Sequence, residues 1–257
     1  MIGAYATYMT QKLFESVAPG HLDWYFVAAI PISFVAAALV GLLIEATVIR
    51  FMYGRPLDTL LATLGVSFIL IWIIRINFGD NIGVKAPTWL QGSVEIMQDV
   101  RLPYNRLFVL AFCGACVGLM YFIINRTKMG LLLRATTQNR TMAASLGVST
   151  RRIDMMTFGL GAGLAGMAGC ALTQIGGVTP DMGQNYIIES FLVVVVGGVG
   201  KLAGVIWSGM GLGMTNKFLE PVAGTVWAKV LELVLIIVFI QWRPSGLFPA
   251  KGRLADA

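Results

Sequence analysis

"RATTQNRTMAASLGVSTRRID", Arg134 to Asp154, is a polar, basic interruption in a chain of 257 residues that is 57% hydrophobic, with a mean hydropathy of +0.77. Around it, from Asn125 to Arg152, lie six basic residues (Arg126, Lys128, Arg134, Arg140, Arg151 and Arg152) and no acid. That segment alone carries a charge equal to the whole chain's net +6. With 12% charged residues, 30 glycines and apolar runs of bilayer length, the chain has too little polar surface to coat a water-soluble globule of its size. It reads as an integral membrane protein. Short loops rich in Lys and Arg stay in the cytoplasm, so the basic stretch fixes the sidedness of everything else. The pI near 9.4 follows this topology, and nucleic acid is set aside as a partner.

A helix needs roughly 20 apolar residues to cross a bilayer. Runs of about that length fall at 24–49, 58–76, 104–124, 153–175 and 226–242, with a longer Gly-rich run at 187–214 and a shorter one at 2–14 that reads as a span cut short. The chain opens without a basic n-region, so no signal-peptide pattern is present. Walking back from the basic stretch, 77–103 falls outside and is slightly acidic (Asp80, Glu95 and Asp99 against Lys85 and Arg101), while 50–57, with Arg50 and Arg55, falls inside. Walking forward, 176–186 falls outside and holds only Asp181, and the tail from Arg243, with Lys251 and Arg253 against Asp256, belongs inside. A single crossing by 187–214 would leave that tail outside. The run must therefore cross twice, or dip in and return, and "VVGGVGKLAG" supplies the break at Gly197, Gly198, Gly200 and Lys201. Transporters place solute pathways at broken helices of this kind. The expected fold is an all-α polytopic membrane helix bundle, a single domain over 1–257, with a Gly-broken or re-entrant helix near 197–201 and a cytoplasmic C-terminus.

Material for catalysis or metal binding is scarce. Cys113, Cys116 and Cys170 lie in apolar stretches, and the C-x-x-C at 113–116 reads as small-residue packing rather than redox chemistry. His21 is the one histidine, which removes His-based metal clusters and a Ser-His-Asp triad, so no catalytic residue and no metal site are expected. Gly161, Gly163 and Gly166 spell G-x-G-x-x-G inside an apolar span rather than after a strand, and "GGVGKL" has Val195 and Leu202 where a P-loop needs Gly and Ser or Thr. Neither is read as a nucleotide site. Small residues four apart (Gly159 with Gly163; Ala162, Gly166 and Cys170; Gly200, Gly204 and Ser208) instead form ridges for close helix packing, within one subunit or at a seam between subunits. Among ionisable groups in spans, Glu45 and Arg75 lie near span ends and can snorkel. Lys229 and Glu232, three apart, are expected to satisfy each other. Glu189, directly after "TPDMGQNY" and without a local cation, is either an interfacial carboxylate or a pathway group.

From a span end at Asn125 through "RTKMGLLLRATTQNRTMAASLGVSTRRIDMMTF" into the glycine-ridged span, the chain resembles bacterial ABC importer permeases of the branched-chain amino acid type, with 125–152 as their cytoplasmic coupling segment. "MAASLGVSTRRID" is similar to the loop such permeases present to their ATPase subunits, with Ala143, Ala144 and Gly147 at the small positions. A short helix of small residues lets another protein's groove approach closely, and flanking arginines can pair with acids there. The competing reading is an ordinary positive-inside loop, which composition alone favours. On the resemblance, Arg134, Gln138, Asn139, Ala143, Ala144, Leu146, Gly147, Arg151 and Arg152 couple to the ATPase. "FGLGAGLAGMAG", the "GGVG" break and the closing "RPSGLF" (Arg243 to Phe248) follow the family's order, and the run from Gly163 to Gly200 is most similar to its urea-importing branch. Family members begin with a further apolar segment before the position of Met1, so a first span is expected to be missing.

The resemblance implies one permease subunit of an ATP-driven importer in a bacterial inner membrane, carrying urea. The alternative solute is a branched-chain amino acid, and the alternative of another class is a passive channel or secondary carrier. Implied partners are a second permease subunit, two cytoplasmic ATP-binding subunits, a periplasmic solute-binding protein and membrane lipid. This chain needs no cofactor of its own, since ATP is bound by partner subunits. ATP binding would push on 138–148 and tilt the attached spans. Thr63, Ser67, Gln174, Gln184, Asn185 and Glu189 are the translocation-pathway candidates, with Gly197, Gly198 and Gly200 as hinge. Urea needs only neutral hydrogen-bonding groups, whereas a zwitterion is helped by fixed charge or helix termini, so residue types leave the solute open.

Overall fold

Away from water a bilayer-length chain satisfies its own backbone most simply as α-helix, and the apolar runs do so. The computed structural model describes residues 1–17, 24–52, 56–79, 81–85, 87–90, 92–97, 100–198, 200–243 and 246–248. His21, Arg55, Asp80, Asp99, Lys251, Arg253 and Asp256, singled out above, lie outside the described residues. The chain divides into two compact units, Met1–Met182 and Gly183–Ala257.

The first unit contains helices α1 (Ile2–Val17), α2 (Tyr25–Thr47), α3 (Pro56–Phe78), α4 (Tyr104–Arg126), α5 (Lys128–Gln138), α6 (Arg140–Ser145) and α7 (Thr150–Leu172). Of these, α2, α3, α4 and α7 are long and apolar enough to cross a membrane, at the places the hydropathy predicts. At 16 residues, α1 is about 24 Å long, short of a hydrocarbon core of roughly 30 Å.

The core is the seam of α2, α7 and α1, and glycine makes it possible. A Cβ on Gly166 would run into the Cβ of Ala37 and lie 2.6 Å from the Ser33 carbonyl oxygen. One on Gly163 would meet the Phe34 ring at 2.5 Å, and one on Gly159 would meet Leu42 at 2.9 Å. From the other side, Gly41 faces Ala162, and Gly3 of α1 rests on the Gly166 backbone. Of the two uses open to this ridge, the structure shows packing within one subunit. Tyr25, Phe26, Ala29 and Cys170 close a buried cluster beside it.

Between α3 and α4 a two-stranded antiparallel hairpin, β1 (Ser93–Met97) and β2 (Val100–Pro103), pairs Ser93 with Pro103 and Val94 with Leu102. The all-α expectation does not contain it, because that loop was read by its charge alone. Two assignments of ionisable groups are also corrected. Arg75 does not snorkel freely: its Nη2 meets Asp181 Oδ2 at 2.7 Å, fastening the end of α3 to the turn after α7. Beside that pair, Ile82 and Val178 exchange backbone bonds of 3.0 and 2.8 Å. Glu45 is 1% exposed, since it continues the buried face of α2 that includes Ala37 and Gly41.

The second unit continues α8 (Met182–Gly197) into α9 (Leu202–Ala223) and α10 (Thr225–Trp242). The apolar run at 187–214 is thus two helices, broken where Gly198 (φ +89°) and Gly200 (φ +104°) take a left-handed backbone that other residues avoid. The break folds α9 back against α8. A Cβ on Gly197 would lie 2.7 Å from the Gly204 carbonyl and 2.8 Å from Ser208 Oγ, and that Oγ donates to the Val193 carbonyl at 2.7 Å. After α10 the chain returns to the same break. Leu247 N donates to the Val196 carbonyl (2.8 Å) and Phe248 N to the Gly197 carbonyl (3.2 Å), acceptors that a helix end leaves unmet. Gly246 (φ +74°) lies on Gly198, where a Cβ would come within 2.7 Å of its Cα. The end of α8 and the end of α10 therefore share one end of this unit.

Candidate functional site

The basic segment is a built element rather than a slack loop. Helix α4 stops at Thr127, whose Oγ1 donates back to Ile123 O at 2.6 Å and accepts from Gly130 N at 3.3 Å, capping α5. Gly130 permits the sharp turn, because a Cβ there would sit on the Ile124 carbonyl. Asn139 then caps α6, its Oδ1 accepting from Met142 N at 3.0 Å and from Thr141 Oγ1 at 2.8 Å. At the other end Gly147 (φ +83°) donates to Ala144 O at 3.0 Å while Val148 donates to Ala143 O at 3.1 Å, the paired bonds of a glycine-terminated helix. Arg140 Nη2 meets Asp154 Oδ2 at 2.5 Å and holds α6 to the start of α7.

This frame decides what each predicted coupling residue does. Ala143 is 4% exposed and faces inward, whereas Ala144 is exposed and Leu146 is 81% exposed. Met142, at 64%, joins them as an apolar side chain held in water, and the predicted coupling set, which includes Leu146, leaves it out. Arg134, Gln138 and Asn139 are exposed on α5 and its exit. Arg151 and Arg152 are exposed in the first turn of α7, where the helix dipole disfavours cations by about 0.3–1 kcal/mol each. They are not placed for helix stability. Gly147 is small for its backbone conformation: nothing lies within 4 Å of a Cβ added there.

The pathway candidates belong to three elements: α3, the exit of α7 and α8. Thr63 and Ser67 share a face of α3, donating to Leu60 O (2.9 Å) and Leu64 O (2.8 Å). Gln174 lies just past the end of α7, 5% exposed; its Nε2 donates to Thr173 Oγ1 at 3.1 Å, and its backbone oxygen accepts from Asn105 Nδ2 at 3.0 Å. Tyr25 Oη of α2 donates to Lys85 O at 2.6 Å and Lys85 N to Gln11 Oε1 of α1 at 3.2 Å, a polar link between three segments that no single span reveals. In the second unit, Gln184, Asn185 and Glu189 occupy the first turns of α8. Lys229 and Glu232 do not satisfy each other. Lys229 Nζ meets Glu189 Oε1 at 2.8 Å, and Glu232 Oε2 accepts from Asn216 Nδ2 at 2.7 Å. Both groups find partners on a neighbouring helix, so Glu189 does have a cation beside it.

The family described as branched-chain amino acid transport system / permease component matches residues 1–240. The chain belongs to this family. BraD of Pseudomonas aeruginosa, a high-affinity branched-chain amino acid transport system permease protein, is 28% identical over 96% of this chain and 82% of its own length. LivH of Salmonella typhimurium, described in the same words, is 26% identical over the same shares. LivM of Escherichia coli, again so described, is 25% identical over 87% of this chain and 57% of its own length. No solved structure matches the chain. The protein is a multi-pass membrane permease component and not an enzyme.

Proposed function

We propose that this chain is one of two membrane subunits of an ATP-driven importer for a branched-chain amino acid, and that α5, α6 and the Gly147 turn are where two ATP-binding subunits push. One observation carries the coupling role: Met142, Ala144 and Leu146 are held in water on a capped, ion-paired frame amid arginines. A purely topogenic loop needs the arginines and has no use for an exposed Leu146. ATP stays on the partner subunits, this chain holds no cofactor, and a periplasmic binding protein delivers the solute. A second permease is in keeping with the family, since Escherichia coli has both LivH and LivM under one system description.

The solute follows the names of the relatives. Urea is the second reading, favoured by a specific observation: with Glu189 neutralised by Lys229, the pathway candidates offer only uncharged groups, Thr63, Ser67, Gln174, Gln184 and Asn185. The similarity of Gly163 to Gly200 to the urea-importing branch points the same way. In cells dependent on this system, radiolabelled leucine should accumulate in an energy-dependent manner and excess urea should compete poorly. Urea uptake indifferent to leucine would replace the amino-acid reading with the urea one.

The return of 246–248 to the end of α8 supports a cytoplasmic C-terminus. With 176–186 outside, α8 runs inward, α9 outward and α10 inward. A cysteine in place of Ala250 should react with impermeant maleimide in inverted vesicles and not in intact cells. Labelling of intact cells would overturn this topology.

A further inference from the structure

Between α2, α4 and α7 the first unit forms a half-open groove of about 420 Å³ with apolar walls, lined by Phe112, Cys116, Leu119 and Ile123 of α4, Phe34 of α2 and Leu164 of α7. None of the residues of α4 is buried, so this helix stands off from its neighbours and leaves the space. Such a groove offers water no hydrogen-bond partners, and the helices that form it are long and apolar enough to cross a membrane, so its walls suit hydrocarbon. Phe112 to Ile123 is one stripe of α4, roughly 16 Å long, which is about half of a hydrocarbon core of roughly 30 Å. The slot is one leaflet deep. Spread over that length, the volume gives room for a single extended hydrocarbon chain. The next position on the stripe is Arg126, exposed at the helix end and followed by exposed Lys128, in a segment without an acid from Asn125 to Arg152.

We propose that this slot is a lipid site: one acyl chain of an anionic phospholipid from the cytoplasmic leaflet occupies it, with the headgroup phosphate at Arg126 and Lys128. The inference is independent of which solute is carried and of what docks on α6. A zwitterionic lipid can fill the slot, but the basic end selects for net negative charge.

The test uses the chain as extracted from its membrane with whatever subunits accompany it, stripped of lipid and titrated with phosphatidylglycerol or phosphatidylcholine of identical chains. Native mass spectrometry should show one phosphatidylglycerol per copy of this chain, held at least tenfold more tightly than phosphatidylcholine. Ala115→Phe, which fills the slot from α4, should abolish that site, and Leu164→Phe does the same from α7 if the first variant fails to assemble. Arg126→Gln should bring the two lipids within twofold of each other. Leu110→Phe, on an exposed part of α4 outside the lining, should change neither. The proposal is overturned by equal affinity for the two lipids in the unaltered protein, by binding that survives the slot-filling variants, by equal loss in Leu110→Phe, or by no bound lipid at all.

Discussion

Gly166→Leu should force α2 and α7 apart and markedly lower the protein's thermal midpoint. The contact it disturbs is backbone against backbone. A Cβ at this position already collides with Ala37 and approaches the Ser33 carbonyl to 2.6 Å, while Gly3 of α1 rests on the Gly166 carbonyl from another side. Flexible side-chain ends can yield to added volume, but helix backbones move only as whole helices. Overpacking a close-packed site costs about 1–3 kcal/mol, occasionally more, and here the upper end applies because three helices converge. Against a total stability of about 5–15 kcal/mol that is a large fraction. Thermal unfolding in matched detergent reads the effect. Gly161→Ala is the control: it lies on the same helix, exposed, with nothing within 4 Å of the new methyl group, and it should be neutral or gain up to about 1 kcal/mol from helix propensity. Equal midpoints for Gly166→Leu and the unaltered chain would mean that the ridge is not a packing seam.

The ridge was legible as spacing, but its partner was not, since four-residue periodicity on α7 does not say which helix it meets. The complementary signal was nevertheless present. Ser33, Ala37, Gly41 and Glu45 are four apart on α2 and all buried; the first three are small, and extending the stripe by one step would have predicted the burial of Glu45 that snorkelling missed. The break at Gly198 and Gly200 was readable because charge parity and glycine content agreed on it. What "RPSGLF" does was not readable, because its backbone donors serve carbonyls about fifty residues earlier in the chain. Lys229 illustrates the same limit: same-helix spacing offered Glu232, whereas the nearer carboxylate belongs to α8. In the basic segment, glycine directly after a short helix is itself the sign of a left-handed helix end. Gly147 was read for its size when its backbone angle is the reason it is there.

The decisive test of coupling is therefore a substitution at Ala144 rather than at Gly147. Any side chain at Gly147 strains a backbone at φ +83°, so even Gly147→Ala should weaken the segment whether or not anything docks there. Ala144 carries no such confound. It is exposed on α6, its neighbour Ala143 supplies the inward contact, and glutamate is nearly as good a helix former as alanine. If the segment only obeys the positive-inside rule, Ala144→Glu leaves every arginine in place and should change nothing. If Met142, Ala144 and Leu146 seat in a groove of the ATP-binding subunits, the same change places volume and an unpaired carboxylate in a close contact, at a cost of about 1–3 kcal/mol. Occupancy should then fall about five- to 150-fold. Co-purification of the ATP-binding subunits, with solute-stimulated ATP hydrolysis at matched membrane expression, measures it. Leu146→Ser should follow Ala144→Glu, since it withdraws the most exposed apolar side chain of the turn, while Ala144→Ser should stay close to the unaltered chain because it adds one small polar atom and no charge. Undiminished co-purification and hydrolysis with both Ala144→Glu and Leu146→Ser would return Arg134 to Asp154 to the role of a topogenic loop, since a docked apolar surface cannot be indifferent to losing its apolar side chain and gaining a charge.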